Sequence, residues 1–150
     1  MSIARLPAAW SALIVASCLA APAYAGLGDA VAVDASRLRA ASVKTVAMPL
    51  YDRHEIVTDD GATIHEFAAR DGTVFAVDFA GPAIPDLQTM LGSHYADYLA
   101  SARAHHGNHH VMSFDENGLV VTIVKLPRGF TGSAQVSALM PQGVTAEDLR

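Results

Sequence analysis

The sequence predicts an α+β domain: an antiparallel sheet of about five to six strands in the order β-β-β-α-β-β-β, with one main helix packed on it. Three observations carry this. Short apolar runs from Tyr51 onward are separated by Gly-containing turns, among them Asp71-Gly72 and Asn117-Gly118, and Asp-Gly or Asn-Gly between apolar runs is a strong hairpin signal. A single apolar stripe at helical spacing lies between two groups of such runs. No internal repeat or low-complexity tract interrupts the pattern.

Taken in order, residues 51–58 read as a strand, Asp59-Asp60-Gly61 as a turn and residues 63–68 as a second strand. Residues 73–79 form a third, in which Phe75, Val77 and Phe79 share one face by the two-residue period. Gly81-Pro82 closes this meander. Pro82 and Pro85 fix φ and remove backbone donors, and Asp86 stands where a helix N-terminus accepts a carboxylate. Ile84, Leu87, Leu91, Tyr95, Tyr98, Leu99 and Ala102 make the helical stripe, and Gly92, costing about 1 kcal/mol relative to Ala, marks a bend or break. Residues 111–114, 119–126 and 130–136 then read as strands, the first two joined at Glu116-Asn117-Gly118. Residues 145–149 read as a terminal helical turn that frays. Residues 26–48, rich in Ala and Val, have weak periodicity; Asp34 caps a short helix reaching Arg39.

Residues 1–25 read as an export leader. Arg5 is a positive start, residues 6–21 are apolar and uncharged, and Ala23-Tyr24-Ala25 has the small-x-small pattern for cleavage before Gly26. A spanning anchor needs about 20 apolar residues, and this run is shorter, bracketed by Pro7 and Pro22. The rival is a lipoprotein. Val15-Ala16-Ser17-Cys18 resembles a lipobox, but cleavage there leaves an apolar tether through Leu27 where a polar linker is usual. Cleavage after Ala25 is favoured, and it places the mature chain in the periplasm or outside the cell, with no membrane insertion of its own.

Removing 25 of the 150 residues leaves 125, enough for one domain, residues 49–150, with residues 26–48 leading into it. The only cysteine, Cys18, leaves with the leader, so disulfides and thiolate metal sites are excluded. Loss of Arg5 moves the formal charge from -5 to -6. With scattered basic residues, this argues against nucleic acid and anionic membranes as partners.

The chemically loudest segment is His105-His106-Gly107-Asn108-His109-His110. Imidazoles bind zinc, copper and nickel, and on a helix His105 with His109, or His106 with His110, would share a face. Gly107-Asn108 is instead a turn signal, which puts these His on a solvated connection between helix and strand. His65-Glu66 lacks the second His of a zinc helix, since position 69 is Ala. Asp59, Asp60 and Glu66 are candidate acid–base groups, but carboxylates at hairpin turns are usually solvated turn formers. Gly26-Leu27-Gly28 does not follow a strand, as a phosphate-cradling loop must. Tyr95 and Tyr98 pack as core or line a pocket.

Residues 61–92 resemble a family of exported bacterial proteins catalogued as domain of unknown function 2844. The resemblance rests on Ile64-His65-Glu66-Phe67, Gly72-Thr73-Val74-Phe75-Ala76-Val77, Gly81-Pro82, Pro85-Asp86-Leu87 and Leu91-Gly92. It continues at Leu119-Val120-Val121, Arg128-Gly129-Phe130, Gly132 and Met140-Pro141-Gln142-Gly143-Val144. The family pattern has Arg where His65 stands and Trp where Phe79 stands, so no role transfers to either side chain. The resemblance implies an exported single-domain protein without an assigned activity.

The functional expectation is a non-catalytic envelope protein that binds or assists another exported component through a sheet face or edge. The alternative is a periplasmic transition-metal binder using His105, His106, His109 and His110. A hydrolase would need a concave pocket joining a His to a carboxylate and a hydroxyl.

Overall fold

The computed structural model describes residues 26–29, 38–104 and 110–149. Strands β1 (Ala40–Ala47), β2 (Tyr51–Thr58), β3 (Thr63–Ala69), β4 (Val74–Gly81), β5 (Val111–Glu116), β6 (Leu119–Leu126) and β7 (Gly129–Val136) form one sheet in the order β1-β2-β3-β4-β7-β6-β5. Every neighbouring pair is antiparallel. Between β4 and β5 the chain forms α1 (Leu87–Leu91), a 3-10 turn (Gly92–His94) and α2 (Tyr95–Ala104). This helical crossover carries the chain from the sheet centre to its far edge, and the second meander walks back to pair β7 with β4.

Seven strands replace the five or six expected. The addition is β1, whose residues are exposed on both faces apart from Ala40 and Val46, as befits an outer strand. Such a strand lacks the alternation that marks a half-buried one. The short helix expected from Asp34 falls mainly outside the described residues, and its end, Leu38-Arg39, is a turn entering β1.

The tight turns follow local chemistry. Asn117 and Gly118 both take positive φ, 54° and 78°, the pairing a two-residue hairpin requires. Asp86 caps α1 by accepting from the Gln88 N–H at 3.1 Å. The helix breaks at Gly92, as its sequence suggests, and there φ is +50°. Ile84 does not join the apolar stripe; it is exposed ahead of the helix.

One face of the sheet is covered. Ile56, Ile64, Phe79, Gly132, Ile123 and Met112 form a cross-strand row on that face. Leu87, Met90, Leu91, Tyr95 and Tyr98 pack against this core. Gly132 is required by the Phe79 ring: a Cβ at position 132 would lie 2.6 Å from it. Residues 26–29 plug the same core. Leu27 is fully buried and its N–H donates to the Met90 carbonyl, while Gly28 and Asp29 exchange backbone hydrogen bonds with Val74.

Phe75 does not share the face of Val77 and Phe79. A register shift pairs Phe67 with Ala76 but Ala68 with Val74, leaving Phe75 as the extra residue of a β-bulge. It turns to the second face and joins Tyr51, Phe67, Ala76 and Val144 in a smaller cluster. The C-terminal segment seals that cluster. Its 3-10 turn (Ala146–Leu149) is tied down by the Tyr51 hydroxyl, which donates to the Asp148 carbonyl at 2.9 Å.

Candidate functional site

Among the described residues nothing covers the rest of the second face. Where the C-terminal segment ends, the twisted sheet leaves a concave groove of about 520 Å³ lined by Arg53, His65, Asp78, Thr122, Ser133 and Gln135 among others. Along this face runs a row of residues paired strand to strand, Lys44, Glu55, His65, Asp78, Ser133, Thr122 and Ser113, of which His65, Asp78, Ser133 and Thr122 line the groove. Alternation along each strand puts all of these on one face, one residue away from the apolar row beneath the helix.

His65 is held between two carboxylates. Its Nδ1–H donates to Asp78 Oδ1 at 2.8 Å, and its Nε2 lies 3.9 Å from Glu55 Oε2. Burial pushes the Asp78 carboxyl above the usual aspartate value, opposed by the neighbouring His65 and Arg53. Arg53, next along β2 on the same face, has a buried Nε without a hydrogen-bond partner among the described residues. At the other end, the Ser113 and Thr122 hydroxyls bond each other at 3.1 Å, and Thr131 donates to the Phe79 carbonyl. Ala80, Val120 and Val124 are the small apolar surfaces between these polar groups.

A family model described as Protein of unknown function (DUF2844) matches residues 23–149. The chain belongs to this family. No curated protein and no solved structure matches it.

In this DUF2844 protein those candidate residues named from sequence that are described are dispersed. His105, His106 and His109 lie outside the described residues, as do Ala23 and Ala25. His110 is exposed just before β5, and its carbonyl accepts from the Lys125 N–H. Among the described residues no group of three or more His, Cys, Asp or Glu could hold a metal ion. Gly26 is buried against the Gly92 backbone. Tyr95 and Tyr98 stack on each other, half-buried beside the core, with ring centroids 5.9 Å apart.

Asp59, Asp60 and Glu66 do not form an acid–base set. Asp59 pairs with Arg39 at 3.1 Å in the hairpin turn. Hydrogen bonds from Thr58 and the Ala62 N–H hold the Asp60 carboxyl below its usual value. Glu66 lies on the covered face, 1 % exposed, where burial pushes its carboxyl up to about 7. Among the described sequence candidates, His65 alone lines the groove. Glu55, Asp78, Arg53, Ser133 and Gln135 were missed, although each is a polar residue at the outward period-two position of its strand.

Proposed function

We propose that this DUF2844 protein is an exported, non-catalytic binding module whose ligand or protein partner occupies the groove on the open face. The observation that carries the reading is the continuous polar row along a concave surface that the described residues leave uncovered. Monomeric domains normally surround a sheet with helix or loop on any face that is not simply solvated, and a concave surface with convergent polar groups is the default ligand site. The covered face, by contrast, is filled by the helix and by Leu27.

The non-catalytic part of the proposal rests on order within the row. A hydrolytic nucleophile needs its hydroxyl within hydrogen-bond reach of the base. Ser133 pairs with Asp78 on the side away from His65, so these two stand two strands apart, about 10 Å at ordinary strand spacing. His65 is engaged by carboxylates instead. The reading invokes no cofactor. Among the described residues no helix is long and apolar enough to cross a membrane, and export is proposed from the leader alone.

Photo-crosslinking in the native envelope tests the proposal. A crosslinker at Thr122 in the groove should capture a discrete component, while one at Ala100, exposed on α2, should not. Equal labelling from both positions, or none from Thr122, would remove the groove from consideration. Intact mass of the native product checks export: a chain beginning at Gly26 is expected, and one retaining Met1 counts against it.

A further inference from the structure

Resting on the groove as the binding site, we infer that its occupant is an uncharged, hydroxyl-rich chain: a neutral oligosaccharide lying across the strands. The charge balance is the first argument. Around His65 the open face carries Lys44 and Arg53 against Glu55 and Asp78, so the fixed charges there cancel. A cancelled cluster creates no strong net field to collect a polyanion or a polycation. Its carboxylates and guanidinium still offer strong, directional hydrogen bonds.

The inventory of those bonds is the second argument. Among the described residues the Ser133 hydroxyl and the Gln135 amide have no hydrogen-bond partner, and Glu55 makes only its 3.9 Å contact with His65. Acceptors (Glu55, Asp78) and donors (Arg53, His65) therefore alternate beside groups that do both. A ligand hydroxyl donates and accepts at once, so a run of hydroxyls satisfies such a row without a matching charge. The interior strands β4, β7 and β6 have their backbone groups in ladders with both neighbours. An extended peptide added as a strand reads backbone at a sheet edge, whereas here only side chains face the ligand.

Dimensions agree. From Glu55 to Thr122 the row crosses four strand intervals, about 19 Å at ordinary spacing, which is room for several pyranose rings. Ala80, Val120 and Val124 keep the surface low and apolar between polar rows, where the C–H faces of sugar rings can lie.

The test is an NMR titration of the full chain with four probes: a neutral tetramer of β-linked N-acetylglucosamine, a neutral tetramer of α-linked glucose, a heparin fragment and an oligolysine. A neutral tetramer should shift His65, Asp78, Ser133 and Gln135 together, with an affinity that raised salt leaves unchanged. Ser133→Trp, filling the groove at an exposed position, should weaken that binding at least tenfold with the thermal midpoint preserved; Ala100→Trp should not. Shifts on the row from heparin or oligolysine alone overturn the oligosaccharide and keep the groove as a site. A protein crosslinked from Thr122 with no saccharide shift does the same. Neither crosslink nor shift would overturn both the inference and the proposal on which it rests.

Discussion

The two faces of this sheet are written in the same strands, one residue out of phase, and they differ in almost every physical respect. On the covered face Ile56, Ile64, Phe79 and Ile123 stack beneath the helix, and one of its few buried polar groups, Glu66, has one oxygen unpartnered among the described residues. On the open face Glu55, His65 and Asp78 are part-exposed and engage one another. The lesson is that the period-two pattern encodes a core and a site together. A register slip of a single residue would exchange them, putting charge under the helix and isoleucine in the groove.

Breaking the core side should cost most. Phe79→Ala removes a ring that is 3 % exposed, and a loss of about 3–5 kcal/mol in unfolding free energy is expected from denaturant titration. A loss below about 1 kcal/mol would mean that the helix does not pack there as described.

Glu66 sharpens the comparison through pH. Its folded-state value near 7 lies above the ordinary glutamate value of 4.5, so the folded chain holds this proton more tightly than the unfolded one. The associated stability is fully present below about pH 4.5 and declines as pH rises to about 7, by about 3 kcal/mol in total. Glu66→Gln cannot ionise and should flatten that part of the stability profile. Profiles of mutant and parent that run parallel from pH 4 to 8 would contradict the assignment.

Smaller effects probe the fit between the faces. Gly132→Ala brings a methyl against the Phe79 ring, and a cost of about 1–3 kcal/mol is expected. Combining it with Phe79→Leu should recover part of that cost, a coupling that a double-mutant cycle reads directly. Thr122→Ala, on the open face with only the Ser113 hydroxyl as partner, should change stability by less than about 0.5 kcal/mol. Its effect belongs in binding, measured by the same saccharide titration.

Much of the fold is local and was readable in the chain. Asn117-Gly118 demands its positive φ pair, Asp86 offers its carboxylate to α1, and Gly92 breaks the helix where its conformational freedom is needed. Features decided at long range were not. β1 is a strand only because β2 lies beside it, and the bulge at Phe75 inverts a face that strict alternation assigns to Val77. The groove needs the β4–β7 pairing, which joins residues as far apart in sequence as Ala76 and Gln135. His65 and Asp78 are neighbours across one hairpin, yet nothing in their immediate sequence points to Ser133 or Gln135. The histidine run is conspicuous in the sequence, with His105, His106 and His109 outside the described residues, whereas the groove is assembled from single polar residues on separate strands.

The packing of residues 26–29 also bears on timing. Gly26 approaches Gly92 so closely that a Cβ there would sit 2.6 Å from its backbone, and Leu27 is enclosed completely. A peptidase cutting before Gly26 must draw both flanks of that bond into its own cleft in extended form, which the finished fold does not release. Under the proposed cleavage before Gly26, processing would have to precede closure of the sheet, and a chain that folded first would keep its leader.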